Sequence, residues 1–184
     1  MKIIQKAIEK NISGKKVLFF FMLTNLVYIL MLTVTIPKVM GYTNGMKLLD
    51  MMPLGYDLDY VNALFNTLGP KGREVYLYRQ LPVDMVYPAL FGISYYLLLA
   101  YFLKKLNKFN SKLFYFCLLP PFAGLADYLE NIGIISLLTN YPNLTSGMVT
   151  TTAFFSLLKS AGTTLYFMIL LVTLILLGIK TLKK

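Results

Sequence analysis

The sequence contains no histidine and no tryptophan, and Cys117 is its only cysteine. Without histidine the chain cannot form a histidine triad, a histidine general base, a histidine-ligated haem or a His-rich zinc site. One cysteine excludes an internal disulfide, a CxxC redox pair and a four-thiolate metal site. We therefore predict no metal and no cofactor, and we interpret Cys117, which lies in an apolar run, as a small apolar residue rather than a nucleophile.

Charged residues are also scarce. They make up 14% of the 184 residues while hydrophobic residues make up 57%, against roughly 25% and roughly 45–50% in soluble domains. The apolar residues occur in long blocks, which excludes a soluble globule, a disordered tail and a collagen-like fibre. The composition therefore predicts an integral membrane protein.

Four apolar stretches are long enough to cross a hydrocarbon core of ~30 Å, which takes about 20 helical residues. They predict one all-α domain over residues 1–184, a four-transmembrane-helix bundle with spans at 17–39, 83–106, 112–138 and 149–182. The first stretch is too long for a signal-peptide core and precedes no small-x-small cleavage site, so we expect an uncleaved anchor ending at Pro37. Pro120 and Pro121 should kink the third span, and the long fourth span should tilt or extend beyond the bilayer.

The net charge of +10 has an uneven distribution along the chain. One side of the predicted membrane carries Lys2, Lys6, Lys10, Lys15, Lys16, Lys104, Lys105, Lys108, Lys112, Lys180, Lys183 and Lys184, with only Glu9 against them. On the other side, Lys38, Lys47, Lys71, Arg73 and Arg79 are balanced by Asp50, Asp57, Asp59 and Glu74. The positive-inside rule then places both termini in the cytoplasm, in what we expect to be a bacterial inner (plasma) membrane, and explains the charge without a nucleic-acid partner. The basic N-terminal segment is expected to lie on anionic lipid.

Residues 40–81 form the sizeable segment that we predict outside the bilayer, and we call this segment the lid. Asp57 can cap a helix that runs to Leu68; Gly69 fits the position just past that helix, and Pro70 fits the start of a second one, to Leu81. The first helix has an apolar face made of Leu58, Val61, Leu64, Phe65 and Leu68. Such short amphipathic helices are expected in the outer interface, over the mouth of the bundle, either to complete its packing or to gate a ligand site.

Polar residues inside the predicted spans are the best candidates for functional residues, because the bilayer disfavours them unless they have a partner. Asp127, Glu130 and Asn131 share one face of the third span, where an acidic side chain at mid-bilayer costs ~2.5–3.5 kcal/mol. They should therefore face the bundle interior and have a partner. Lys159 lies at a similar depth in the fourth span, in a stripe with Thr152, Ser156, Ser160 and Thr163.

Residues at the outer end of the bundle can join this cluster. Asp84 and Tyr87, at the start of the second span, lie above it, and Arg73 or Arg79 can fold down from the lid to neutralise carboxylates; if neither does, one carboxyl is expected to hold a proton. The predicted ligand-binding residues are Asp84, Tyr87, Asp127, Glu130, Asn131, Ser156, Lys159, Arg73 and Arg79, and the candidate catalytic residues are Asp127, Glu130 and Asp84. Two alternatives stay open: the ion pairs only fix helix register, and Asp84 only caps a helix.

Several short motifs follow one another along residues 55–131. They are Gly55-Tyr56, Leu68-Gly69 and Gly72-Arg73 with Tyr76, Pro82-x-Asp84-x-x-Tyr87-Pro88 and Asp127-x-x-Glu130-Asn131. This order resembles a pattern of small, uncharacterised four-span bacterial membrane proteins. The resemblance implies no activity, but it implies that the lid, Asp84 and the acidic face of the third span act as one unit.

Three functions are compatible with these features. We favour a membrane protein that binds a lipid or other apolar ligand within the bundle, with the polar head of the ligand at the acidic cluster near the outer leaflet. The alternatives are an intramembrane lipid-modifying enzyme that uses carboxylate acid/base chemistry, and a small transporter or a subunit of a membrane assembly that uses the buried charges for proton coupling or docking. The expected partners are membrane lipids, and a homo-oligomer or a partner membrane protein stays open.

Overall fold

The computed structural model describes residues 12–183, and within this range the protein is all-helical, with no β-strand. Basic residues 2, 6 and 10, predicted to lie on anionic lipid, fall outside the described residues. The α-helices, in chain order, are α1 (Gly14–Leu30), α2 (Ile36–Met40), α3 (Leu58–Val75), α4 (Leu81–Asp84), α5 (Tyr87–Lys105), α6 (Leu119–Asn140) and α7 (Ser146–Leu182). Two π-helical turns, Met31–Thr35 and Tyr76–Gln80, join α1 to α2 and α3 to α4, and 3-10 turns cover Leu49–Met51 and Lys112–Leu118.

Three helical stretches are long and apolar enough to cross a membrane, namely Gly14–Met40, Leu58–Lys105 and Ser146–Leu182. They contain the first and fourth predicted spans and all of the second except its last residue, Leu106. The third predicted span, now α6, is not among them because Asp127, Glu130 and Asn131 lower its hydropathy. The sequence therefore belongs to an integral membrane protein, and the polar residues that make α6 less apolar are those of the candidate site.

Each π-helical turn ends two residues before a proline. The prediction that the first helical stretch ends at Pro37 is wrong. Pro37 lies in the first turn of α2, which continues to Met40. Pro82 has the same place in α4. A proline lacks the N–H of a helical hydrogen bond and crowds the preceding turn, so a wider turn before it keeps the chain helical. The two wide turns are joined where the Thr35 hydroxyl donates a hydrogen bond to Gln80 Oε1.

Pro120 and Pro121 do not kink a helix, which corrects the prediction made for the third span. They lie in the first turn of α6, directly after the 3-10 turn Lys112–Leu118. A proline in the first helical turn removes no intrahelical hydrogen bond, because the first N–H groups of a helix have no acceptor there. The prolines therefore start α6 rather than bend it.

The lid packs on protein through the predicted apolar face of α3. Asp57 Oδ1 accepts a hydrogen bond from the Tyr60 N–H at 2.8 Å, so it caps this helix. Gly69 has φ 61° and ψ −179°, which marks a break before Pro70 although the helical run continues. The buried side chains of this face are Val61, Leu64, Phe65 and Leu68, and they share a core with Ile134, Leu137 and Val149. The lid therefore covers the adjacent ends of α6 and α7.

The long helices pack in sequence order, with α1 against α5, α5 against α6 and α6 against α7. The α5–α6 contact is close because Gly124 faces the first turn of α5: a Cβ at this position would lie 2.7 Å from the Pro88 carbonyl oxygen. Small residues at such contacts let helix backbones approach each other in membrane proteins. Gly178, in contrast, has no atom within 4 Å of an added Cβ.

We predict that Gly124→Ala destabilises the protein by about 1–3 kcal/mol, because the new methyl group overpacks a backbone contact. The matched variant Gly178→Ala should be neutral or more stable by up to about 1 kcal/mol, because alanine favours the helix and space is open. Cys117 is fully buried, so its reaction with a thiol-reactive dye on heating reports unfolding. Equal unfolding temperatures for the two variants would contradict the close α5–α6 contact.

Candidate functional site

A buried ion cluster joins α6 to α7. Lys159 Nζ lies 3.2 Å from Asp127 Oδ1 and also contacts Glu130 Oε2. Glu130 is fully buried and Asp127 is 7% exposed, so neither carboxylate has free access to water. Lys159 of α7 pairs with both carboxylates of α6 and so holds the two helices together; we call this pair of ion pairs the clamp.

Helix packing brings these side chains to one level. Gly133 lies one turn beyond Glu130, where an added Cβ would collide with Thr152 of α7; the two helices are therefore close at this height. Asn131 Nδ2 donates a hydrogen bond to the Asp84 carbonyl oxygen at 3.5 Å. Asn131 is fully buried, and this bond fixes the end of α4 beside the acidic face of α6.

Asp84 differs from the other carboxylates. It is 4% exposed, and within residues 12–183 no hydrogen-bond donor or salt-bridge cation contacts its side chain. Asp84 lies in the first turn of α4, as the sequence predicts, but neither α4 nor α5 has a side-chain cap hydrogen bond. Its carboxyl is therefore a buried acceptor that takes part in no hydrogen bond or ion pair within residues 12–183.

A cavity of about 490 Å³ lies between these groups and α1. Its charged lining residues are Asp50, Asp84, Asp127 and Lys159, and Ser160 and Thr163 add hydroxyl groups along α7. The helical stretch Gly14–Met40 lines it with Tyr28, Met31, Leu32 and Ile36, and Phe91 adds a further aromatic ring. One cavity is thus lined both by carboxylates and by hydrocarbon and aromatic rings.

Asp50 is a member of the site that we did not predict, since its charge was assigned to the balanced set of the lid. It lies in the 3-10 turn Leu49–Met51, where it accepts hydrogen bonds from the Tyr76 hydroxyl at 3.0 Å and from Gln80 Nε2 at 3.4 Å. Gln80 is the residue that the Thr35 hydroxyl contacts, so both π-helical turns support Asp50. The available sequence signal was an acidic residue inside the apolar run Leu48–Met52.

The two arginines predicted for the site are not in it. Arg73 Nη1 donates a hydrogen bond to the Phe65 carbonyl oxygen at 2.6 Å, and its guanidinium lies 4.5 Å from the centre of the Tyr141 ring. Arg79 is exposed. Arg73 therefore fastens α3 across the Gly69 break and onto the α6–α7 loop, and neither arginine neutralises a carboxylate of the cluster.

The remaining predicted residues lie in or beside the cavity. Tyr87 lines it and stacks on Tyr28, with ring centroids 5.5 Å apart. Ser156 is buried beneath the lid, and its hydroxyl donates a hydrogen bond to the Met52 carbonyl oxygen at 3.2 Å. Tyr87 thus belongs to the aromatic side of the cavity, while Ser156 holds the lid against α7.

Chemically, the site has more acceptors than donors. Asp50, Asp84, Asp127 and Glu130 face a single cation, Lys159, among the side chains that line or contact the cluster. Carboxyls are also its acid/base groups, since the sequence has no histidine. Such an arrangement attracts protons, cations and hydrogen-bond donors rather than anions.

We predict that Lys159→Met destabilises the protein by about 3–5 kcal/mol, because it leaves two buried carboxylates without a counter-ion. The matched variant Lys71→Met removes an ion pair with Glu74 whose side chains are 68% and 56% exposed, and it should cost less than about 1 kcal/mol. The measurement is the free energy of unfolding in detergent. Similar losses in the two variants would refute the clamp.

A rescue variant separates loss of charge compensation from loss of packing. Adding Asp127→Asn and Glu130→Gln to Lys159→Met should restore most of the lost stability, because the amides need no counter-ion. If the triple variant is as unstable as Lys159→Met alone, the packing of the lysine stem and not its charge carries the effect.

Comparisons with protein-family models, with curated proteins and with solved structures find no match to this chain.

Proposed function

We propose that the protein binds a lipid or other amphiphile within its helix bundle. The apolar part of this ligand lies against α1, and its polar head lies near Asp50, Asp84, Asp127 and Lys159. The observation that carries the proposal is that one cavity is lined by three carboxylates and a lysine as well as by apolar and aromatic side chains. Its volume of about 490 Å³ falls within the range of about 300–1,000 Å³ that is usual for small-ligand sites.

Exposure of the cavity rim supports entry from the bilayer. Tyr28 of α1 and Leu32 of the π-helical turn that follows it line the cavity and are 41% and 45% exposed. Thr164 of α7 lines it and is exposed as well. These residues lie within two of the stretches that are long enough to span a membrane. A ligand can therefore enter sideways between α1 and α7, without crossing the lid.

We further propose that α6 is a fourth span. Its 22 residues cover about 33 Å at ~1.5 Å per residue, enough for the hydrocarbon core. Its acidic face points to α7, while its exposed face carries the apolar side chains Phe122, Leu125 and Ile132. A helix with this distribution can lie in lipid on one side and hold polar groups on the other.

The proposed orientation has both termini in the cytoplasm of a bacterial cell, in the inner membrane. Lys180, near the end of α7, donates a hydrogen bond to the Lys105 carbonyl oxygen at 2.7 Å. The basic groups at the ends of α5 and α7 therefore lie together at the end of the bundle opposite the lid. The positive-inside rule assigns that end to the cytoplasm.

We predict that the purified wild-type protein carries a lipid-sized adduct in native mass spectrometry. Thr163→Phe should lose most of this adduct, because the ring of the new side chain fills a cavity that Thr163 lines. Ala161→Phe is the matched control, since Ala161 is exposed on α7 and does not line the cavity.

Two results would contradict the proposed function: a wild-type protein without an adduct, or equal adduct occupancy in Thr163→Phe and Ala161→Phe. The unfolding temperature, followed by Cys117 labelling, checks that both variants are folded. Fragmentation of the released molecule then gives its chemical class.

A further inference from the structure

We infer that the ligand is an amphiphilic amine, whose protonated ammonium group is held by Asp84. This inference rests on the proposed function and adds the chemical class of the polar head. It follows from the charge of the cavity, from the unused acceptor within it, and from the aromatic rings beside that acceptor.

The first step is the charge of the site. Lys159 contacts Asp127 and Glu130 at once, so its single positive charge offsets two carboxylates incompletely. Asp84 and Asp50 line the same cavity as Asp127 and Lys159, and no other lysine or arginine of the described residues lines it. An anionic head such as a phosphate or a fatty-acid carboxylate would add repulsion, whereas a cation lowers it.

The second step singles out Asp84. Asp127 has its lysine, and Asp50 has two neutral donors, Tyr76 and Gln80. The side chain of Asp84 lines the cavity and is only 4% exposed. No hydrogen-bond donor within residues 12–183 contacts its carboxyl oxygens. The charged form of a buried carboxyl without a donor is costly in the protein alone, and a ligand that supplies charged N–H donors removes this cost.

The third step concerns the surroundings of the carboxylate. Tyr87 stacks on Tyr28 and lies 5.8 Å from Phe91 between ring centroids, and all three rings line the cavity. Aromatic faces attract ammonium groups and also pack against alkyl chains. Leu32 and Met31 also line the cavity. An alkyl chain attached to the ammonium group can therefore pack against apolar side chains.

The same ammonium chemistry can come from a membrane amphiphile or from a small water-soluble amine. Probes of defined structure separate these sources: dodecylammonium, dodecanol and dodecanoate share a chain and differ in the head, and ethylammonium has the head without the chain. Each is titrated calorimetrically into the full-length protein in nonionic detergent, with the dodecyl compounds compared at equal mole fraction in the micelle.

Dodecylammonium should bind at least about tenfold more tightly than dodecanol, dodecanoate or ethylammonium, since a hydrogen bond to a charged group contributes about this factor. Asp84→Asn should weaken the binding of dodecylammonium by a similar factor and leave that of dodecanol unchanged. Asp59→Asn is the matched control, because Asp59 is exposed in the lid and does not line the cavity; this variant should bind dodecylammonium like wild type.

The outcomes distinguish the two proposals. Equal binding of dodecanol and dodecylammonium to wild type, or no effect of Asp84→Asn, would overturn the proposal of a cationic head group. The proposal of an amphiphile-binding site would then stand. Equal binding of ethylammonium and dodecylammonium overturns the amphiphilic ligand and leaves an ammonium site, and no binding of any probe overturns both. The wild-type series decides the matter by itself if Asp84→Asn does not fold.

Discussion

The structure depends on one electrostatic constraint: three buried carboxyls, Asp84, Asp127 and Glu130, and the partly buried Asp50 lie close to a single lysine, Lys159. Lys159 can satisfy Asp127 and Glu130 because α6 and α7 approach closely at Gly133 and Thr152. Asp50 accepts hydrogen bonds from Tyr76 and Gln80, the first and last residues of the second π-helical turn. Asp84 is left over, and this residual acceptor gives the cavity a chemical preference.

Two prolines, Pro37 and Pro82, influence the position of the site because each is preceded by a π-helical turn. Wide turns before Pro37 and Pro82 let the chain stay helical, and the Thr35–Gln80 hydrogen bond joins these turns behind Asp50. π-helical turns in α-helices are frequent at functional sites, and here they set the position of the acidic residues of the cavity relative to α1. Support for the cavity is thus built into the helices rather than into flexible loops.

Much of the fold and part of the site follow from the sequence alone. Apolar length indicates the three stretches that can span a membrane, and helical periodicity predicts the face of Asp127, Glu130 and Asn131. Asp50 and Gln80 escaped prediction because their places depend on the tertiary path of the lid, which no periodicity encodes. Arg73 was placed wrongly for a similar reason: a flexible cation near an acidic cluster can reach several acceptors, and packing against Tyr141 decided between them.

The central claim is that Asp84 is kept open for the polar head of a bound amphiphile. A cryo-electron microscopy map of the full-length protein in lipid nanodiscs tests it most directly. The account predicts elongated density in the cavity that runs from the Asp84 carboxylate to the rim between Tyr28 and Thr164. A cavity closed by protein side chains, or a lysine or arginine of the chain paired with Asp84, would contradict it.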